Sequence, residues 1–187
     1  MARWFRTLFR RGPKTALQEN LESILWAAAV ALFIRTFIVA PFKIPSGSMH
    51  PTLIEGDRIL VNKFLYRFHE PRRGEIIVFR FPENPKRPFI KRLIAVGNDR
   101  VEIRNGQPVV NGQPLEAPIV QHLYYYNQGE FGQEGASVQV PPDMYYVLGD
   151  NSASSHDSRF WGFVPKKLLI GKAICIFWPL NRIRMLR

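Results

Sequence analysis

Ser48 stands in the run Ile44-Pro45-Ser46-Gly47-Ser48-Met49-His50-Pro51-Thr52-Leu53. Two prolines and a glycine this close together fix a stiff turn, and such a turn can present a hydroxyl with backbone N–H groups beside it. Acyl transfer needs those parts, a nucleophile next to oxyanion donors. Ser-Gly-Ser between prolines is also what an ordinary loop contains, so the chemistry depends on a base. His50, His69, His122 and His156 are the histidines, and a surface histidine is the plain reading of each.

Lys91 is a different kind of candidate. Phe89-Ile90 precede it and Leu93-Ile94-Ala95-Val96 follow Arg92. Alternation along a strand puts Phe89, Lys91 and Leu93 on one face and Arg92 on the other. A lysine buried there loses hydration, which lowers its pKa and supplies a neutral amine near neutral pH. Moving it from ~10.4 to ~7–8 corresponds to about 3–5 kcal/mol of differential stabilisation. A lysine on an edge strand with its head in solvent would look much the same.

The elements that must position these residues are short and β-rich. Pro 15 and Gly 13 fall between brief apolar runs, which favours a turn-rich β domain over a helical bundle. Residues 58–63, 75–80, 88–96, 100–103, 143–148 and 168–178 are predicted strands, and with the meander below they make at least seven. Asn105-Gly106-Gln107-Pro108 returns as Asn111-Gly112-Gln113-Pro114, a tandem of hairpin signals predicting a tight meander. Residues 121–140, with Tyr124-Tyr125-Tyr126, are expected to form an exposed excursion whose tyrosines pack as on an edge strand. The single cysteine, Cys175, excludes an internal disulfide and a cysteine-built metal site, and is expected to be a buried small hydrophobe.

A net charge of +11 calls for an anionic partner. Nucleic-acid binders gather Lys and Arg on one element with interleaved aromatics. Here the charges scatter, apart from Arg3, Arg6, Arg10, Arg11 and Lys14 directly before an apolar stretch, and further arginines at 182, 184 and 187. A lipid bilayer fits better than nucleic acid. Residues 24–34 are uninterruptedly apolar, too few to cross a hydrocarbon core that needs about 20. Counted as 21–40, with Glu22 and Arg35 snorkelling near the ends, the length suffices for a transmembrane anchor. That divides the chain into a basic cytoplasmic segment 1–20, an anchor 21–40 and an extracytoplasmic β-rich domain 41–187. A cleaved secretory signal and an interfacial helix that never spans remain open on pattern alone.

Four blocks, taken together, resemble type I signal peptidases. They are the Ser48 run, Glu55-Gly56-Asp57-Arg58-Ile59-Leu60-Val61-Asn62-Lys63, Lys91-Arg92, and Gly149-Asp150-Asn151 with Asp157-Ser158-Arg159-Phe160-Trp161-Gly162-Phe163-Val164-Pro165. They occur in the family's order and cover most of residues 35–101 and 141–178. The resemblance implies a mostly β, signal-peptidase-like catalytic domain on a single N-terminal transmembrane helix. It also implies a Ser–Lys dyad that removes signal peptides from exported preproteins after small residues, at the cell (inner) membrane, with no metal or cofactor. Position by position, it makes Ser48 the nucleophile and Lys91 the general base. Ser46 joins the Ser48 N–H in the oxyanion hole, and Ser155 orients the lysine. Asp150 and Asp157 pair with Arg92 and Arg159 as supports. Ile44, Met49, Leu53 and Ile90 are expected to line shallow pockets for small side chains.

The chain departs from the family pattern at two points. Gly97-Asn98-Asp99 stands where a Pro-Gly pair usually precedes the aspartate, and asparagine tolerates the left-handed backbone such a turn needs. Ser152-Ala153-Ser154 replaces the usual Arg-Asp-Asn, so the lysine-orienting role falls to Ser155 or its neighbour Ser154. Ser48 follows the apolar segment by a handful of residues, which favours a spanning anchor that holds the site near the bilayer. A Ser–Lys self-cleaving repressor relative and a non-enzymatic membrane-anchored binding protein are the alternatives. The first lacks a helix-turn-helix region in residues 1–40, and the second has no need of a base.

Overall fold

The computed structural model describes residues 15–186 and divides into two compact units, one ending at Ile38 and one spanning Val39–Arg187. The basic cluster in residues 1–14 lies outside the described residues.

In the first unit, α1 (Ala16–Phe33) runs on into a π-helical turn, Ile34–Ile38. Among the described residues no helix is long and apolar enough to cross a membrane. The reason is visible in the sequence: Gln18, Glu19, Asn20 and Glu22 occupy the first turns of α1, and the apolar run continues past its end. The segment expected as the anchor is also cut short, because Val39 and Ala40 are already in a strand. Leu21, Ile24, Leu25, Trp26, Val30 and Leu32 of α1 are all exposed.

The second unit is built from antiparallel strands: β1 (Val39–Lys43), β2 (Arg58–Asn62), β3 (Ile76–Phe81), β4 (Asn84–Ala95), β5 (Arg100–Arg104) and β6 (Gln107–Val110). Then come β7 (Gln113–Pro114), β8 (Val138–Gln139), β9 (Met144–Leu148), β10 (Val164–Pro165), β11 (Leu169–Trp178) and β12 (Arg184–Met185), with a single-turn helix, α2 (Ser158–Trp161), between β9 and β10. One sheet has the order β1-β2-β11-β3-β4-β9-β10, with β12 paired to β11, and a second has the order β7-β6-β5-β8. The strands expected from periodicity all form, with β4 reaching back to Asn84. Strand β1 was not expected. It carries Pro41 opposite Leu60 on the sheet's edge, where a missing N–H costs no ladder bond.

Both Asn-Gly pairs make the hairpin turns of the small sheet, with φ of 52° and 74° at Asn105 and Gly106 and 54° and 81° at Asn111 and Gly112. Positive φ at both central residues is the turn whose twist matches the flanking strands. Asn98 likewise sits at φ 71°, so the turn before Asp99 forms without the Pro-Gly pair. The excursion after residue 121 differs from expectation. Its tyrosines lie on irregular backbone, Tyr125 fully buried in the core between the sheets and Tyr124 and Tyr126 exposed with their rings edge to face. Cys175 is half-buried rather than enclosed, on β11 opposite Met185 of the paired β12.

Candidate active site

Ser48 occupies a 3₁₀ turn, Gly47–Met49, closed by the His50 N–H donating to the Gly47 carbonyl at 3.0 Å. Asn151 grips this turn twice. Its backbone N–H donates to the Ser48 carbonyl and its side-chain amide to the Gly47 carbonyl, each at 3.1 Å. Below the turn, Met49 and Leu53 are fully buried in a cluster with Ile44, Ile59 and Ile76.

Lys91 lies in the interior of β4, opposite Ile77 of β3, and is 3% exposed. Its Nζ is 2.6 Å from Ser48 Oγ and 5.7 Å from the centre of the Phe89 ring. Burial, which disfavours the ammonium form, lowers its pKa to about 8; Asp157 and Asp150 oppose that shift and Arg159 adds to it.

Two ion pairs, each with both side chains wholly enclosed, stand around this contact. Arg92 Nε and Nη2 donate to Asp150 at 2.8 and 2.5 Å, and Arg92 Nη1 donates to the Gly74 carbonyl. The Thr52 hydroxyl donates to the same Asp150 carboxylate at 2.5 Å. Asp157 takes Arg159 Nε and Nη2 at 2.8 and 2.9 Å, accepts the Gly149 N–H at 3.0 Å, and caps α2. Forked guanidinium–carboxylate bonds of this kind satisfy the charges that burial would otherwise strand.

Ser155 is buried and Ser154 exposed, and Ser155 Oγ has no hydrogen-bond partner. Ser46 is exposed and extended just ahead of the turn, and its hydroxyl does not cap it. Of the four expected pocket residues, Ile44 and Ile90 line a cleft with Phe42, Pro45, Val78 and Phe89. Met49 and Leu53, expected beside them, are 0% exposed and pack in the cluster beneath the nucleophile turn together with Ile44. All four histidines are exposed.

Sequence reasoning left three contributors without a role. Thr52 and Asn151 lay inside the recognised runs, and a polar residue between buried Met49 and Leu53 was the signal for Thr52. Ser152 accepts Arg159 Nη1 at 2.6 Å and the Tyr126 N–H at 2.8 Å, so it fastens the tyrosine segment to the second ion pair. No local pattern announces that contact.

A serine hydroxyl against a buried, deprotonable lysine is the equipment of a serine hydrolase whose base is an amine. Residues 17–178 match the family model described as "Signal peptidase, peptidase S26". The chain is 43% identical over 174 residues to signal peptidase I of Leptolyngbya laminosa, covering 89% of this chain and 82% of that protein. It is 38% identical to the probable signal peptidase I-2 of Synechocystis, covering 93% and 79%. A crystal structure of a signal peptidase I from Enterococcus faecalis aligns with a TM-score of 0.46 at 32% identity, over 56% of this chain and 97% of that one. The chain belongs to the signal peptidase family, peptidase S26, and is a serine peptidase.

Proposed function

We propose that this protein removes N-terminal signal peptides from exported preproteins, with Ser48 as nucleophile and Lys91 as general base. The contact between Lys91 Nζ and Ser48 Oγ, 2.6 Å long and centred on a lysine whose pKa is drawn down to about 8, carries this reading. As the neutral amine, Lys91 accepts the Ser48 proton while Oγ attacks the scissile carbonyl. The tetrahedral oxyanion is held by the Ser48 N–H and the Ser46 hydroxyl. Lys91 then protonates the departing amine, and water, activated by the same lysine, hydrolyses the acyl-enzyme. For the lysine-orienting role we favour Ser155, which is buried, over Ser154, which faces solvent. Arg92–Asp150 and Arg159–Asp157 keep the surrounding charge fixed.

The cleft lined by Ile44 and Ile90 receives the small side chains that precede the cleavage site. For the first unit we favour insertion in the cell membrane, with the catalytic unit on the extracytoplasmic side. The exposed apolar residues around α1 support this, because water would not tolerate such a surface on every side of a helix. Cleavage of a preprotein with an Ala-x-Ala site tests the dyad. Ser48→Ala and Lys91→Ala each abolish processing without loss of the fold; full activity in Lys91→Ala would refute the assignment.

A further inference from the structure

Arg182 and Arg184, read from sequence only as charge for a membrane, converge on the segment that follows Ser48. Arg182 Nε and Nη2 donate to Asp57 at 2.9 and 3.0 Å, and the Asp57 side chain is wholly enclosed. Asp57 in turn accepts the Ile54 N–H, and its carbonyl takes the Ile44 N–H. Arg184 Nη2 donates to the Thr52 carbonyl at 2.5 Å. Leu186 is buried in the same cluster as Met49 and Leu53, and its N–H donates to the Ile174 carbonyl of β11. Residues 182–186 therefore act as a strap that meets residues 52–57 at two polar points and their apolar underside at a third.

Thr52 is the point where this strap matters. It lies four residues after Ser48, and its hydroxyl reaches Asp150, which is forked to Arg92. Arg92 is the neighbour of Lys91 on β4. Thr52 thus ties the nucleophile's segment to the strand that bears the base, and Arg184 holds the carbonyl of that tie. We propose that the 182–186 strap is a positioning element of the active site, with Arg184 setting Thr52 so that Ser48 stays within reach of Lys91. Exposed arginine pairs usually contribute little. Here, however, the partner is the carbonyl of a buried residue, and a displacement of about 1 Å at reacting atoms lowers rate by about 10²-fold.

This inference rests on the Ser48–Lys91 reading, and its test separates the two. The full chain in detergent is assayed on a peptide with an Ala-x-Ala site. Arg184→Ala should lower kcat by about 10-fold or more with KM within about twofold. Its melting temperature should stay within a few degrees of wild type. Arg184→Lys, which keeps a cationic donor for the carbonyl, should recover most of the loss. A kcat within twofold of wild type, a loss carried by KM, or a collapse of the melting temperature each overturns the proposal. Ser48→Ala runs alongside. If it retains activity, the dyad reading itself fails, whereas a silent Arg184→Ala beside a dead Ser48→Ala removes the strap alone.

Discussion

Ser155 occupies the space where Gly149 would carry a side chain. A Cβ on Gly149 would stand 2.1 Å from Ser155 Oγ and 2.5 Å from the Ser48 carbonyl oxygen. Three chain segments meet there with no room for a methyl group. Gly149→Ala should therefore abolish cleavage of a preprotein and lower the melting temperature, because the backbone at Ser48 cannot yield as a side-chain tip could. Cleavage assay and thermal unfolding of the variant check both effects; normal activity in a stable Gly149→Ala would mean that this contact does not constrain the nucleophile.

Ser155 and Ser154 are adjacent in sequence and opposite in environment. Ser155→Ala should reduce kcat by up to about 10²-fold, the cost of misplacing a reacting group by about 1 Å, while Ser154→Ala stays near wild type. Steady-state kinetics of the pair decide the assignment, and equal effects would leave neither residue with the role.

With Lys91 acting as a neutral base, kcat/KM should rise with pH through a midpoint near the lysine's lowered pKa of about 8. A rate profile between pH 6 and 10, measured on a short peptide, locates that limb. A midpoint near the ordinary lysine value would show that burial does not lower the pKa.

The same burial has a cost in stability whose sign is fixed. Above the ordinary value of 10.5 the lysine is neutral in both folded and unfolded chains. As pH falls from there to about 8, the unfolded chain takes up a proton that the folded chain refuses, and stability is lost; below about 8 the whole penalty, about 3 kcal/mol, is present. Lys91→Met should accordingly be more stable than wild type at pH 7, by roughly 5–10 °C in Tm, with the advantage gone above pH 10.5. Thermal melts across that range check it.

Ser46→Ala should slow turnover by about 10² or more, as loss of an oxyanion donor does, with KM little changed. Single-turnover rates on the Ala-x-Ala peptide measure it, and an unchanged rate takes the Ser46 hydroxyl out of the oxyanion hole.

Paired Asn-Gly turns defined the small sheet for a local physical reason, whereas alternation at 88–96 left Lys91 between a buried and an edge position, and only the family resemblance gave it a role. Residues 91–95 are in fact buried on both faces of β4, so no alternation marks the inner one. Strand β1 was hidden because its apolar residues continue the run of the preceding helix, where period cannot separate helix from strand. The depth at which Met49 and Leu53 lie was not legible, because a tight turn has no period to say which way a side chain faces. Contacts such as Ser152 with Tyr126, or Arg184 with Thr52, join segments far apart in sequence, and nothing local encodes them.

The two enclosed ion pairs also bear on how the reaction responds to its own charge. Arg92, Asp150, Asp157 and Arg159 sum to zero, and each is held at more than one atom. When Lys91 takes the serine proton, the new positive charge appears among dipoles whose directions were set during folding. Water in that place would have to turn; these groups already point where they are needed, so little reorganisation is left for the moment of proton transfer.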